Sequence, residues 1–473
     1  MLFYIHLPKP NTMNRIILAL LCLIMLLLSS CHKKDKDDNT TPEVQTTPWP
    51  KWVFKHWIWE GESTEQSAKQ IVDDYLANDI PVGAIIIDSP WETGYTTFEF
   101  DSSLFQNPKG MIDYLHSKDV RVFMWIVCAI DTDAHPIYEE AKALGYFMKK
   151  NATDTVPGII SWWKGKGSLI DFYNPAALAW WKSKMDITLA YGIDGWKCDG
   201  TDFYVNTTPY SPGKGANVTR VEYSRTYYQL FHDYTRQKLG IDRVLTCRPI
   251  DNYGFDAGGE GLSFCPRDIS FACWVGDQDA TFTGLTKAAN NMYHSSQYGY
   301  LSFGSDIGGY REDSNFPGNG RSKELFLRWA QFGAFSPVME NGGGGEHRPW
   351  IFGADATDIY RKYAKLHHAM NDYFMTTADS VFKIQKSIMQ FYNKTDYSFM
   401  LGSDIYVRPV LQDPAPAYTL AAPDNDQWVY LFDQTKVADS NNPVTVTPAL
   451  SEYPVLVRKN SKVHAALNKV LNP

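Results

Sequence analysis

From residue 51 onward, short apolar runs alternate with amphipathic stretches, and this alternation constrains the fold more than any other feature of the chain. The runs are continuously apolar, as expected of strands buried on both faces of a parallel sheet. There are eight of them, at 52–57, 83–88, 120–126, 193–199, 243–248, 269–274, 300–304 and 334–339. Helix-like stretches separate them, so the pattern predicts an α/β fold, a (β/α)8 TIM barrel.

A doubly wound open sheet is the competing arrangement, but no GxGxxG follows the first run. The Gly-rich "GGGGEH" at 342–347 lacks the Lys-Ser/Thr of a phosphate loop and is interpreted as an active-site loop. Beyond about residue 376 the pattern changes to short strand-like runs split by Pro, Asn, Asp and Gly. We therefore predict a catalytic barrel at 51–375 and a small antiparallel β-sandwich domain at 376–473.

The first fifty residues have the composition of a targeting segment. Arg15 precedes an apolar stretch, and the sequence Leu28-Ser29-Ser30-Cys31 at its end resembles a bacterial lipobox. This pattern predicts a signal peptide at 1–30, a lipid on Cys31 and a flexible tether at 31–50. It also predicts attachment to a membrane of a bacterial cell envelope. An uncleaved anchor helix is the alternative, and Met13 is an alternative start.

Charge and cysteine usage exclude several partners. The net charge is -8, and no run of Lys and Arg follows the first forty residues, so nucleic acid is not an expected partner. No CxxC or Cys/His spacing typical of a metal site is present. We therefore expect no metal and no cofactor. Five cysteines after Cys31 are predicted to be buried free thiols: Cys128, Cys198, Cys247, Cys265 and Cys273.

Four aspartates follow apolar runs at the point where a barrel strand would end. They are Asp88, Asp199, Asp277 and Asp306. Each alone could cap a helix or form a buried ion pair, but the carboxyl ends of barrel strands meet at one mouth, where active sites lie. The aromatic residues placed to line the same cavity are Trp91, Trp125, Trp274, Phe303 and Trp329.

Acids and aromatic side chains at one mouth are typical of glycoside hydrolysis. One carboxylate attacks the anomeric carbon or activates water, and another protonates the leaving oxygen. Further carboxylates can accept hydrogen bonds from sugar hydroxyls.

At this point the sequence resembles glycoside hydrolase family 31, a family of retaining α-glycosidases on a (β/α)8 barrel. "GIDGWKCD" (192–199) and "WVGDQDATF" (274–282) resemble its two catalytic motifs, which implies that Asp199 is the nucleophile and Asp277 the acid/base. "IIIDSPW" (85–91) and "FGSDIGGY" (303–310) match sugar-binding motifs and implicate Asp88 and Asp306. Arg248, in "LTCRP", occupies the position of a substrate-binding arginine.

Further residues belong to the predicted site. The segment "RWAQFGAFSPVMENGG...HRPW" resembles a family segment and contributes Trp329 and His347. Lys197 lies on the same strand face as Asp199 and is expected to keep that acid ionised. The chain departs from the family pattern at Ser305, where histidine is usual, and at Glu340, where a basic residue is common.

Two other acids near the nucleophile remain open. Asp194 precedes Gly195 at the start of its strand and is interpreted as a cap or turn residue. Asp202 either contacts substrate or stabilises its loop. A retaining mechanism requires the Asp199 and Asp277 carboxyl groups to lie about 5 to 5.5 Å apart.

We therefore expect a retaining exo-α-glycosidase that removes a terminal α-linked hexose, as an α-glucoside or α-galactoside, from oligosaccharides. An α-xyloside is a further substrate within the same class. A catalytically inactive sugar-binding surface lipoprotein on the same barrel is the alternative. The presence of both Asp199 and Asp277 argues against it, since a binding protein gains little from an acid/base pair.

Overall fold

Eight parallel strands form the central sheet of the barrel. They are β1 (His56–Glu60), β2 (Ala84–Ile87), β3 (Arg121–Ile126), β4 (Gly195–Cys198), β5 (Val244–Cys247), β6 (Ala272–Trp274), β7 (Phe303–Gly304) and β8 (Met339–Asn341). The computed structural model describes residues 47–250, 265–312 and 321–473. The strand order is β7-β6-β5-β4-β3-β2-β1-β8. A parallel bridge between Asp306 and Glu340 joins β7 to β8 and closes the circle. The predicted barrel is confirmed.

Helices of the barrel begin at residues that satisfy their free N–H groups. Thr64 and Thr219 each form a capping box, and Asn107 and Asn174 accept from the first turn immediately before a proline. The helices around the sheet are α1 (Glu65–Ala77), α2 (Pro108–Ser117), α3 (Ile137–Ala143), α4 (Pro175–Leu189), α5 (Arg220–Leu239), α6 (Phe282–Gln297), α7 (Lys323–Ala334), α8 (Ala354–Ala369) and α9 (Asn371–Phe382).

Loops after β3, β4 and β8 carry extra structure around the barrel. A three-stranded antiparallel sheet follows β3 (Ala129–Asp131, Ile160–Trp162 and Gly165–Leu169), and a short hairpin follows β4 (Tyr210–Ser211 and Ala216–Asn217). The 3-10 helices are Lys51–Phe54, Asp202–Thr207 and Pro349–Phe352.

Several strand predictions were wrong in their bounds, and the first and last runs differ most from the observed strands. The run 52–57 was predicted as the first strand, but its first half forms the 3-10 helix Lys51–Phe54. Trp52 there is buried and packs on Trp57 and Phe123, so the run is apolar because it is buried and not because it is extended. The run 334–339 is mostly a turn, because α7 extends through Ala334 and leaves only Met339–Asn341 in the sheet.

After the barrel, short strands form an antiparallel domain, as predicted. Arg328 of α7 donates to the Ala449 and Glu452 carbonyls and so joins the barrel to this domain. One sheet has six strands, in the order Met389–Phe391, Phe399–Leu401, Ile405–Val407, Val455–Arg458, Trp428–Tyr430 and Asp433–Ala438. Tyr418–Leu420 pairs separately with Val444–Val446, and α10 (Lys462–Leu471) follows the last strand.

The predicted signal peptide, Cys31 and most of the tether lie outside the described residues. The tether prediction was wrong at its end: Trp49 is 2% exposed and packs on Phe271 and Phe382. Burying this indole joins residues before 51 to the barrel. Within the described ranges, none of the helices combines the length and apolar character needed to cross a bilayer.

Candidate active site

The mouth of the barrel gathers charged groups from the ends of its strands. Asp88, Asp199 and Arg248 each come directly after a strand, and Asp277 follows β6 by three residues. These groups border a cavity of about 430 Å³. Its lining residues are Asp88, Ser89, Tyr95, Trp125, Trp163, Lys197, Asp199, Gly200, Phe203, Tyr204, Arg248, Asp277, Tyr310 and Arg311. The predicted catalytic pair therefore shares one cavity.

Arg248 joins the two predicted catalytic carboxyl groups. Its Nε donates to Asp199 Oδ1 at 2.7 Å, and one terminal nitrogen donates to both Asp277 oxygens at 3.1 Å. The guanidinium stacks on Trp274, with its carbon 4.7 Å from the ring centroid, and its side chain is 4% exposed. One guanidinium thus orients both acids, and the carboxyl separation of about 5 to 5.5 Å stays a prediction.

Asp199 is held in its ionised form. Burial alone would raise its pKa, but the charge and hydrogen bonds of Arg248, the Gly200 N–H and the charge of Lys197 together lower it. The Gly200 N–H donates to Oδ1 at 2.6 Å and the Trp125 indole N–H to Oδ2 at 3.2 Å. Arg248, rather than the Lys197 predicted from the sequence, is the main counter-charge.

Lys197 is instead the partner of Asp88. Its Nζ lies 2.8 Å from Asp88 Oδ2 and 3.6 Å from the centroid of the Trp59 ring, with Trp274 on another side at 5.0 Å. Burial favours the neutral lysine, but the charges of Asp88, Glu340 and Asp306 outweigh it and raise the Lys197 pKa. Burial raises the Asp88 pKa as well, against the charge and hydrogen bond of Lys197, so the ion pair is stabilised from the lysine side and opposed by the burial of the acid.

Asp306 and Glu340 form a second, unsatisfied acid pair beneath the mouth. Neither side chain has a hydrogen-bond partner among the described residues, and both residues are fully buried. Burial and the charge of Glu340 raise the Asp306 pKa well above its ordinary value. Burial also raises the Glu340 pKa to about 7, against the charge of Lys197. Such groups need a donor, which a sugar hydroxyl can supply.

Several predicted site residues lie away from this cavity. Trp91 is fully buried, and its indole N–H donates to the Trp125 carbonyl at 2.8 Å. Trp329 is buried and donates to Ser305 Oγ at 2.9 Å, and Phe303 is buried in the core. The prediction that these three residues and Trp274 line the cavity was wrong, because all four side chains are fully buried in the packed interior.

His347 lies in a neighbouring cavity. That cavity, of about 500 Å³, is bordered by β1 residues and by the Gly-rich loop 342–347. Nε2 of His347 lies 3.3 Å from the Gly309 carbonyl, and burial lowers the pKa of the imidazole well below its usual value. Tyr310 borders both cavities, so the predicted active-site loop is adjacent to the mouth.

The two alternative acids are structural. Asp194 binds Arg121, His116 and the Val122 N–H at the opposite end of β4 from Asp199. Asp202 is fully buried and accepts from the hydroxyls of Ser224 and Tyr228 on α5, so it stabilises the loop after β4.

Sequence reasoning missed the aromatic residues on the loops around the mouth. Tyr95, Trp163, Phe203, Tyr204 and Tyr310 line the cavity, and Trp163 is 55% exposed. These residues could have been predicted from their positions in the loops that follow the predicted strands, because the loops at this end of a barrel contact the substrate. Among the described residues, one group has the geometry of a metal site, and it contains cysteines rather than these acids.

Comparisons with known proteins identify the family to which this fold belongs. Residues 46–377 match the model of the glycosyl hydrolases family 31 TIM-barrel domain, and residues 379–463 match the family 31 C-terminal domain. Alpha-xylosidase XylQ of Lactiplantibacillus pentosus is 24% identical over 435 residues, covering 87% of this chain and 54% of that protein. Alpha-glucosidase 2 of Bacillus thermoamyloliquefaciens is 25% identical, covering 88% and 53%. The chain thus spans about half the length of these relatives.

Solved structures share the fold. A family 31 α-xylosidase from a soil metagenome, complexed with xylose, aligns with a TM-score of 0.73 at 20% identity, covering 89% of this chain and 65% of its own. A sulfoquinovosidase from E. rectale aligns with a TM-score of 0.74 at 21% identity, covering 90% and 64%. Because the barrel model matches well over half of its residues, this chain belongs to glycosyl hydrolase family 31.

Proposed function

We propose that this chain is a retaining exo-α-glycosidase that hydrolyses a terminal α-linked hexose from oligosaccharides. The observation that carries the proposal is the shared contact of Asp199 and Asp277 with Arg248 at the wall of one cavity. A cavity of about 430 Å³ among aromatic side chains suits one terminal sugar and its leaving group. The family membership and the α-glycosidase names of relatives support the reaction class.

Asp199 is the nucleophile of the first step. Its ionised carboxylate attacks the anomeric carbon while Asp277 gives a proton to the glycosidic oxygen, so the glycosidic bond breaks and a covalent β-glycosyl ester forms. In the second step the Asp277 carboxylate takes a proton from water, and the water attacks the anomeric carbon. Asp199 leaves as a carboxylate, and the sugar keeps its α configuration.

Asp277 must exchange partners during this cycle. Both of its oxygens accept hydrogen bonds from Arg248 in the free protein. A carboxyl group that donates a proton to the leaving oxygen needs one of these oxygens released. We infer that the arriving sugar separates Asp277 from Arg248, while the Asp199–Arg248 contact persists.

We infer that the remaining acids bind sugar hydroxyls. Asp88 is oriented by Lys197 at the cavity wall, and Asp306 and Glu340 lie buried without hydrogen-bond partners among the described residues. The oxygens of a carboxyl group accept hydrogen bonds from hydroxyl donors, and a protonated carboxyl group can also donate one. The proposed substrates are α-glucosides or α-galactosides. An α-xyloside, which lacks the hydroxymethyl group, is included in the test because two solved or curated relatives are named α-xylosidases.

Release of p-nitrophenol from a panel of α- and β-glycosides tests the proposal. Turnover of an α-glycoside with initial release of the α anomer, observed by proton NMR, is the expected result. Release of the β anomer would contradict the retaining mechanism. Saturable binding of a sugar without turnover of any natural oligosaccharide would favour the inactive sugar-binding protein.

We also propose that Cys31 carries a lipid that holds the chain on a membrane of a bacterial cell envelope. The apolar stretch ending in Leu28-Ser29-Ser30-Cys31 supports this proposal. Metabolic labelling with an alkyne fatty acid should mark the protein, and Cys31→Ala should abolish the label and release the chain from the membrane fraction. An unlabelled wild-type chain would contradict the assignment.

A further inference from the structure

Three cysteines from separate segments of the chain lie together beside strands β5 and β6. Cys247 ends β5 and is the register partner of Cys273 in β6, and Cys265 lies just before β6. Their sulfur atoms all lie within 4.8 Å of one another. All three residues are buried, with Cys265 the most exposed at 2%.

The cluster lies on the other side of the strands from the active site. Side chains alternate along a strand, and the residues that follow, Arg248 and Trp274, contact one another at the mouth. Cys247 and Cys273 therefore point outward, between the sheet and its helices. The hydroxyl of Tyr300 donates to the Cys265 carbonyl at 2.5 Å, and Ser270 Oγ lies 3.4 Å from the Cys247 sulfur.

The chemistry of the cluster is that of a soft-metal site. A thiol buried in apolar surroundings is neutral and weakly polar when no cation is near. A cation reverses this preference, because a coordinating thiol loses its proton. A disulfide would join two of the sulfurs and leave the third unused, whereas a metal ion uses all three.

We propose that Cys247, Cys265 and Cys273 bind one thiophilic d10 cation of the Zn²⁺ class. Zinc–sulfur bonds of about 2.3 Å place tetrahedral sulfur ligands about 3.8 Å apart, so small side-chain rotations close the site around the ion. Ser270 Oγ is the candidate for the fourth ligand. Three thiolates and one divalent cation carry one net negative charge, and every proton still on a thiol is released to solvent on binding.

The bound ion would connect three chain segments next to the catalytic groups. It would tie the end of β5 to β6 directly before Arg248 and Trp274. Metal binding that is coupled to a folded site adds to the stability of the fold. We therefore expect the metal to raise the melting temperature. Metal binding does not require catalysis, so this proposal can be correct even if the proposed reaction is not.

Cadmium titration of the purified full-length chain, reduced and stripped of metal, tests the site. The expected result is one equivalent of Cd²⁺ bound with sulfur-to-cadmium charge-transfer absorption and displaced by Zn²⁺. Cys273→Ser should weaken binding by more than about 100-fold. Cys128→Ser is the matched control, since Cys128 is equally buried and its sulfur contacts the Thr201 hydroxyl instead. It should bind like the wild type.

Cys265→Ser provides a second variant if Cys273→Ser fails to fold, as judged by circular dichroism. Equal charge-transfer absorption in the wild type and in both folded variants would overturn the proposal. So would a disulfide between any two of the three cysteines in non-reducing peptide mass spectrometry of the isolated chain. A melting temperature that does not change with Zn²⁺ would count against it in the same way.

Discussion

Asp306 and Glu340 pair across the seam that closes the barrel, where the Ile307 N–H donates to the Glu340 carbonyl at 3.0 Å. The seam therefore brings two fully buried carboxyl groups together. The charge of Lys197 lowers the pKa of both. The two residues whose backbones close the barrel thus also supply its pair of buried carboxyl groups.

Glu340 should make stability fall with rising pH. Its pKa is raised from 4.5 to about 7 in the folded protein, so the folded state binds more protons than the unfolded state between these values. This contribution is fully present below about pH 4.5 and is lost as pH rises through about 7. The melting temperature of Glu340→Gln minus that of the wild type should therefore be larger at pH 8 than at pH 5. An identical difference at both pH values would contradict the shifted pKa.

Asp199→Asn should lower kcat by about 10⁴-fold or more, because an amide cannot form the glycosyl ester. The amide keeps the shape of the side chain, so sugar binding should persist in calorimetry. Asp379→Asn, an exposed change on α9, is the control and should keep full activity. If Asp199→Asn retains wild-type turnover, another residue is the nucleophile.

Arg248→Lys should move the acidic limb of the kcat/KM profile to higher pH. Arg248 lowers the Asp199 pKa, and a lysine cannot contact both acids as the planar guanidinium does. Raising the Asp199 pKa leaves less of the ionised nucleophile at low pH. We expect kcat/KM at neutral pH to fall roughly 10²- to 10³-fold.

The control for that variant is Arg225→Lys, which changes an exposed ion pair with Asp268 and should leave the profile in place. A kcat/KM profile that falls uniformly without a shift of its acidic limb would mean that Arg248 positions substrate but does not tune Asp199.

Lys197→Met should destabilise the fold by about 3–5 kcal/mol, because it leaves Asp88 buried without its counter-charge. The midpoint of urea unfolding measures this loss. Adding Asp88→Asn to Lys197→Met should recover part of it, since the uncompensated charge is removed. Additive losses in the double variant would show that the pair is not coupled.

Much of the barrel and of its acids was predictable from local sequence. Continuous apolar runs identify strands buried on both faces, and Asp88, Asp199, Asp277 and Asp306 follow such runs at or near their ends. Because parallel strands end at one mouth, their convergence follows from the alternation alone. The bounds of the first and last strands were not predictable, because an apolar run is equally consistent with a buried turn.

Tertiary structure decided which groups pair. From the sequence, Lys197 was expected to help keep Asp199 ionised, and its charge does lower that pKa. Its ion pair, however, is with Asp88, and Arg248 contacts both Asp199 and Asp277. The sequence predicted that Trp91 and Trp329 line the cavity, yet their indole N–H groups donate to the Trp125 carbonyl and to Ser305 Oγ in the interior. Likewise, no spacing rule relates Cys247, Cys265 and Cys273: the register of β5 and β6 pairs the first with the third, and the segment before β6 brings Cys265 beside them.

The sequence by itself determined the class of fold, the end of each strand that carries acids, and the residue types available for catalysis. Only the tertiary structure decided their partners, their burial and therefore their protonation. The physical reason is that periodicity depends on neighbours along the chain, whereas pKa values, ion pairs and metal geometry depend on distances of a few ångströms between segments far apart in sequence.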